Sequence, residues 1–200
     1  MKIYVFGDSH AGSFGVHPDI MATPTGPSSM YFIGKEDDVL FADTIKVLVK
    51  DKRLAYEGTW ILSFGEIDTR CKIYNQVHEK GRNEDEIISK LVDDYIKKVK
   101  PFYATISISS IVPPVNYSTI GYLDPTWPFI GPIEDRARYV KKINAYLKTK
   151  CAENNIPYVD LYKYYADENG YMDEKYSTDR VHITDSKFIL QAIQEAGLLT

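Results

Sequence analysis

Two cysteines in 200 residues, Cys71 and Cys151, are too few and too far apart in sequence for a disulfide framework, and they point to a reducing compartment. Long apolar runs are missing too. No stretch approaches the length that crosses a bilayer, and no basic leader stands ahead of an apolar segment, because a strand-like run already begins at residue 2. The expectation is a cytoplasmic protein without a membrane partner. Excess positive charge is also lacking: 24 Lys and Arg stand against 28 Asp and Glu, a net charge of -4. Lys97, Lys98 and Lys100 cluster at the end of a predicted helix, where they offset the negative pole of its dipole, so no nucleic-acid footprint remains. Internal repeats and low-complexity tracts are absent, and Gly7, Gly12 and Gly15 fit neither Gly-x-Gly-x-x-Gly nor a phosphate loop with its lysine. No cofactor is called for.

The length predicts a single domain over residues 1–200, and 44% apolar content suits a globular core. Residues 3–6 read as a buried strand, apolar and β-branched with no helical period, and Gly7 permits a sharp exit into a helix near residues 11–14. Residues 17–29 read as loop, 30–33 as a short second strand and 36–50 as a helix. A buried strand over 59–64 then runs into a loop over 65–70. Asn83 caps a helix with acids in its first turn and an apolar stripe of Ile87, Ile88, Leu91, Val92, Tyr95 and Ile96. A strand over 102–108, a long loop over 113–132, a helix over 133–151, a strand over 158–161 and a closing helix over 184–196, with Thr184 as its cap, complete the chain. Strands alternating with helices imply right-handed crossovers, a central parallel sheet and a three-layer α/β/α sandwich of flavodoxin-like type. Ligands bind such sheets beyond the carboxyl ends of the strands. Ser9 and the loops 65–70, 113–132 and 179–182 all fall at that edge.

Chemistry concentrates at the two ends of the chain. Gly7-Asp8-Ser9-His10 lifts a hydroxyl at the turn after the first strand, and Asp179-Arg180-Val181-His182 lets one loop present an imidazole and a carboxylate to orient it. GDS near the start and DxxH near the end resemble the SGNH/GDSL hydrolases, which these motifs also bracket. The resemblance implies a serine esterase that removes or transfers a small acyl group, with Ser9 as nucleophile, His182 as general base and Asp179 as the orienting carboxylate. Asp8 is expected to hold turn amides. The GDSH form is similar to SGNH domains that handle O-acetyl groups on carbohydrates, which implies a small-molecule or carbohydrate ester as substrate. The oligomeric state stays open.

The middle of the chain departs from that family. Its Gly-x-Asn-Asp motif, whose asparagine donates into the oxyanion hole, is matched by Gly65-Glu66-Ile67-Asp68, where Ile67 has nothing to donate. Arg70 is the nearest substitute donor, or else a salt-bridge partner of Glu66 or Asp68. The family's second-motif glycine has Gly34 or Gly26 as candidates. In the long loop, Tyr122 and Trp127 either line an acceptor or acyl subsite or cover the sheet end. Two other classes stay in view. Asp8-x-His10 also resembles the first metal motif of calcineurin-like metallophosphoesterases, although their Gly-Asn-His-Glu and closing Gly-His-x-His segments are missing, and a non-catalytic binding domain with a degenerate site fits the lost asparagine.

Overall fold

In the computed structural model, the residues described are 2–35, 58–101, 105–116 and 126–199. Five strands form one parallel sheet: β1 (Lys2–Gly7), β2 (Ile20–Pro24), β3 (Gly58–Ser63), β4 (Thr105–Ser109) and β5 (Tyr158–Val159). Their spatial order is β2-β1-β3-β4-β5, the flavodoxin-like arrangement expected, so the switch point falls between β1 and β3. Side chains alternate across the strands. Phe6, Trp60 and Leu62 pack on one face, against α3 (Glu84–Val99) and α4 (Ile133–Glu153) through Leu91, Val92, Tyr95, Val140, Ile143 and Leu147. Ile3, Val5 and Ile61 pack on the other, against Phe14, α5 (Tyr162–Tyr165) and α6 (Ile189–Glu195) through Tyr165, Ile189 and Ile193. At about 1.5–3 kcal/mol per fully buried aliphatic side chain, these two cores hold the three layers together.

The caps of α3 form as expected: Asn83 Oδ1 accepts the Glu86 amide at 3.0 Å, with acids in the first turn and Lys97 and Lys98 in the last. Four expectations fail. The second strand is Ile20–Pro24, within the stretch read as loop; it is an edge strand with only Ile20 buried, so it carries no apolar run, and an edge tolerates its proline. Residues 30–33 belong instead to a helix, α1 (Met30–Gly34), because Ser29 Oγ accepts the Phe32 amide and the distant Asp68 carboxylate takes the Met30 and Tyr31 amides. Residues 66–71 are a short helix, α2 (Glu66–Cys71), not a loop. The closing helix starts only at Ile189, and Thr184 does not cap it; its amide and hydroxyl tie the preceding loop to Tyr176 and Thr178. The helix expected over 36–50 lies outside the described residues. Among the described residues no helix is long and apolar enough to cross a membrane.

Candidate active site

Strands β1 and β3 end level with each other, Gly7 opposite Ser63, and the Asp8 amide donates to the Ser63 carbonyl at 3.1 Å. A Cβ on Gly7 would lie 2.1 Å from that carbonyl oxygen, so only glycine lets the chain leave the sheet here. A 3-10 turn, Ser9–Phe14, follows at once. Asp8 caps it from a fully buried position: its Oδ1 accepts the His10 amide at 3.0 Å and faces His10 Nδ1 at 3.1 Å. The turn is therefore held by Asp8, as the sequence led one to expect. Ser9 opens the turn and is exposed, and among the described residues nothing hydrogen-bonds its hydroxyl or its amide. Both remain available to a ligand.

His182 sits across from this turn. Asp179 Oδ2 lies 2.5 Å from His182 Nδ1, while Asp179 Oδ1 accepts the amides of Val181 (3.0 Å) and His182 (2.8 Å). Burial works against the Asp179 charge, but the His182 contact and these amides outweigh it and hold the carboxyl down at about 2. A carboxylate can only accept, so Nδ1 carries a proton, and the tautomer this sets for a neutral ring has its lone pair on Nε2. That Nε2 is buried and has no hydrogen-bond partner. No hydrogen bond joins Ser9 to His182.

Two hydrogen bonds fasten the loop of His182 to the turn of Ser9, one on each side of the histidine. His10 Nε2 meets the Val181 carbonyl at 3.0 Å, and Ser13 Oγ donates to the Ile183 carbonyl at 2.8 Å. The His10 and His182 rings consequently lie 4.7 Å apart, centre to centre. Both nitrogens of His10 face pure acceptors, a carboxylate and a carbonyl, so the ring carries both protons. Burial alone would lower its pKa; the bond to Asp8, the charges of Asp8 and Glu66 and the Val181 carbonyl reverse this and raise it to about 9. In sequence His10 marks the GDSH variant and, with Asp8, a candidate metal motif; its bond to the Val181 carbonyl is visible only in the fold.

The central motif is organised differently from the expectation. Gly65 adopts φ 117 at the start of α2, and its would-be Cβ would strike Ile111. Ile67 is 2% exposed and packs inward, confirming that it has only packing to offer. Asp68 is buried and spends both oxygens on the Met30 and Tyr31 amides, at 2.7 and 3.3 Å. Its burial outweighs the Lys72 charge and these two bonds and pushes its pKa up to about 6. Arg70, 9% exposed, has Nε 2.7 Å from Glu66 Oε1 and donates from a terminal nitrogen to the Trp127 carbonyl at 2.9 Å. Together with Cys71 Sγ on the Pro128 carbonyl and the Ile130 amide on the Arg70 carbonyl, this bond seals residues 127–130 onto α2. Of the two roles open to Arg70, these contacts are those of a structural partner, and Trp127 is held by its backbone.

Gly34 does not reach the site. It ends α1 against α3, where a Cβ would lie 3.0 Å from the Asp94 side chain and 3.2 Å from the Tyr95 backbone, so glycine serves close packing there. The other candidate glycine, Gly26, follows Thr25, whose amide and hydroxyl both donate to the Gly7 carbonyl, and so it stands next to the Ser9 turn. Tyr122 lies outside the described residues. Among the described residues no group of three or more His, Cys, Asp or Glu side chains is placed to hold a metal, and Asp8 and His10 are bound to each other, so the two-metal reading finds no ligand set there.

No protein-family model matches the chain, and no curated protein matches it in sequence. Solved structures do match over its whole length. A GDSL-like lipase from Bacteroides thetaiotaomicron superposes with a TM-score of 0.61 at 15% identity, over 98% of this chain and 87% of its own. An aryl esterase of M. smegmatis gives 0.58 at 14% identity, over 99% of both chains. The acetyl xylan esterase AlAXEase gives 0.54 at 16% identity, over 98% of this chain and 99% of its own.

Proposed function

On the SGNH/GDSL hydrolase fold that this chain has, we propose that it is a serine esterase that removes or transfers a small acyl group through Ser9, His182 and Asp179. The observation that carries this reading is the orphaned, buried Nε2 of a histidine whose other nitrogen is bound to Asp179, on a loop fastened to the Ser9 turn from both sides. In this reading Ser9 Oγ attacks the acyl carbonyl while His182 Nε2 takes its proton, and Asp179 stabilises the imidazolium that forms. Collapse of the tetrahedral intermediate expels the alcohol, which leaves with that proton. Water or a second hydroxyl then attacks the acyl-enzyme by the same route in reverse.

The oxygen of the intermediate needs donors, each worth about 2.7–4 kcal/mol. The unpaired Ser9 amide is one. Gly26, in the turn tied to Gly7, is the counterpart of the second-motif glycine and the natural second donor. Acetyl on a carbohydrate is the acyl ester we favour, because the GDSH form resembles domains of that kind and one structural neighbour is an acetyl xylan esterase. Labelling with a fluorophosphonate probe tests the reading: wild type should label at Ser9, and Ser9→Ala should not. Absence of both labelling and ester turnover would leave a binding domain that has kept the fold.

A further inference from the structure

Beside the His182 loop runs a narrow cleft whose walls include Glu66, Arg70, Phe129, Arg136, Arg180 and Val181. Glu66 is the one carboxylate among these walls; its Oε1 is engaged with Arg70 at 2.7 Å, and its Oε2 is buried without a hydrogen-bond partner. Arg136 is the anomaly. It projects from the first turn of α4 over the Phe129 ring at 4.3 Å, its Nε is buried without a partner, and among the described residues no acceptor comes within hydrogen-bond or ion-pair distance of its guanidinium. Arg136 is half-buried, and a charge drawn partly out of water without a partner forfeits hydration with little in return. Here burial lowers the Arg136 pKa and the neighbouring Arg70 charge adds to the effect, although Glu66 and Glu134 work against it.

Position supplies the second half of the argument. The cleft reaches Val181, the residue before the proposed base, so an anion held by Arg136 would belong to the molecule whose ester is at Ser9. Size selects the anion. At about 20 Å3 the cleft admits one water-sized atom, which suits a single oxygen of a flat carboxylate better than a tetrahedral phosphate or sulfate. Arginine is the side chain whose planar donors match a carboxylate. We propose that Arg136 forms a carboxylate-recognition subsite, and that the substrate of this enzyme is an ester that also carries a carboxylate group. The proposal rests on the serine-esterase reading for the place of the ester, but not for the anion site itself.

Two charged esters, 4-(carboxymethyl)phenyl acetate with its carboxylate on the alcohol side and phenyl hydrogen succinate with its carboxylate on the acyl side, are compared with neutral phenyl acetate. Wild type should prefer one of the two by tenfold or more in kcat/KM, and which one tells the side of the ester that faces Arg136. Arg136→Gln should shrink that preference at least tenfold, mainly through KM, and Arg136→Lys should restore part of it. The corresponding product anions, 4-hydroxyphenylacetate and succinate, are titrated calorimetrically into the Ser9→Ala protein with and without Arg136→Gln. Anion binding that vanishes with Arg136→Gln in a protein inactive on all three esters supports the subsite and sinks the esterase reading. Hydrolysis of phenyl acetate with no preference for either charged ester and no anion binding overturns the subsite and leaves the esterase reading intact. Equal losses on all three esters in a folded Arg136→Gln protein also overturn it.

Discussion

Replacing His10 with glutamine tests the fastening between the Ser9 turn and the His182 loop, because a neutral amide cannot reproduce an imidazolium that donates to Asp8 and to the Val181 carbonyl together. In the unfolded chain a histidine loses its proton near 6.5; in the fold His10 holds it to about 9. The stabilisation from this difference is therefore complete below pH 6.5 and disappears as pH rises through about 9. At about 1.4 kcal/mol per pH unit it amounts to roughly 3 kcal/mol, a large share of the stability of a single domain. The groups that set it are Asp8 on the same turn, Glu66 on α2 and the Val181 carbonyl of the base loop, with His182 and its partner Asp179 facing the same ring.

Urea unfolding at half-unit intervals from pH 6 to pH 10 measures the effect. Wild type should lose roughly 3 kcal/mol between pH 6.5 and 9.5, and His10→Gln should be less stable at pH 6 and lack this step. Activity should follow, with an alkaline limb in kcat/KM near pH 9 that His10→Gln removes, since release of Val181 frees the loop that carries His182. A wild-type stability that is flat across that range would refute the reasoning, because the two bonds would then hold without the second proton.

Ser9→Ala and His182→Ala should each lower ester turnover by two to three orders of magnitude, about 3–4 kcal/mol of barrier, with unchanged melting temperatures, and Asp179→Asn should cost less. Arg70→Ala should lower the melting temperature as well as activity, because the charged bond to the Trp127 carbonyl is worth about 1.5–3 kcal/mol and residues 127–130 lose their seal; a variant that keeps wild-type stability would contradict the structural role. Ile67→Asn should not restore the family's donor: at 2% exposure the amide would face the core and destabilise the fold by about 3–5 kcal/mol, which thermal denaturation measures directly.

What the sequence disclosed of the fold follows from where apolar signals are strong. β1 and β3 are buried on both faces and read as short apolar runs, and α3 and α4 carry apolar stripes, with the Asn83 cap on α3, that packing only confirms. β2 was hidden because an edge strand needs only one buried side chain to pair, and Ile20–Pro24 exposes most of its length. The helix at Met30 was hidden for another reason. Part of its cap is Asp68, 38 residues away in sequence, and no local pattern announces a carboxylate supplied from α2.

The site divides along the same line. The proposed site residues Ser9, Asp179 and His182 announce themselves because each lies within a local motif, and DxxH closes its own bond: the three-residue spacing alone sets Asp179 against His182. The parts that join the two ends of the chain leave no such mark. A carbonyl such as that of Val181 or Ile183 has no residue identity, so the bonds from His10 and Ser13 that hold the base loop in place become visible only once the chain is folded. The same holds for Arg136. In sequence it is one of several charges in a helical first turn; only the fold shows that Asp135 pairs with Arg138, that Glu66 Oε1 pairs with Arg70, and that Arg136 has no ion-pair partner among the described residues. A charge without a partner is a property of an arrangement, which is why the proposed carboxylate subsite, unlike the proposed triad, had to be read from the structure.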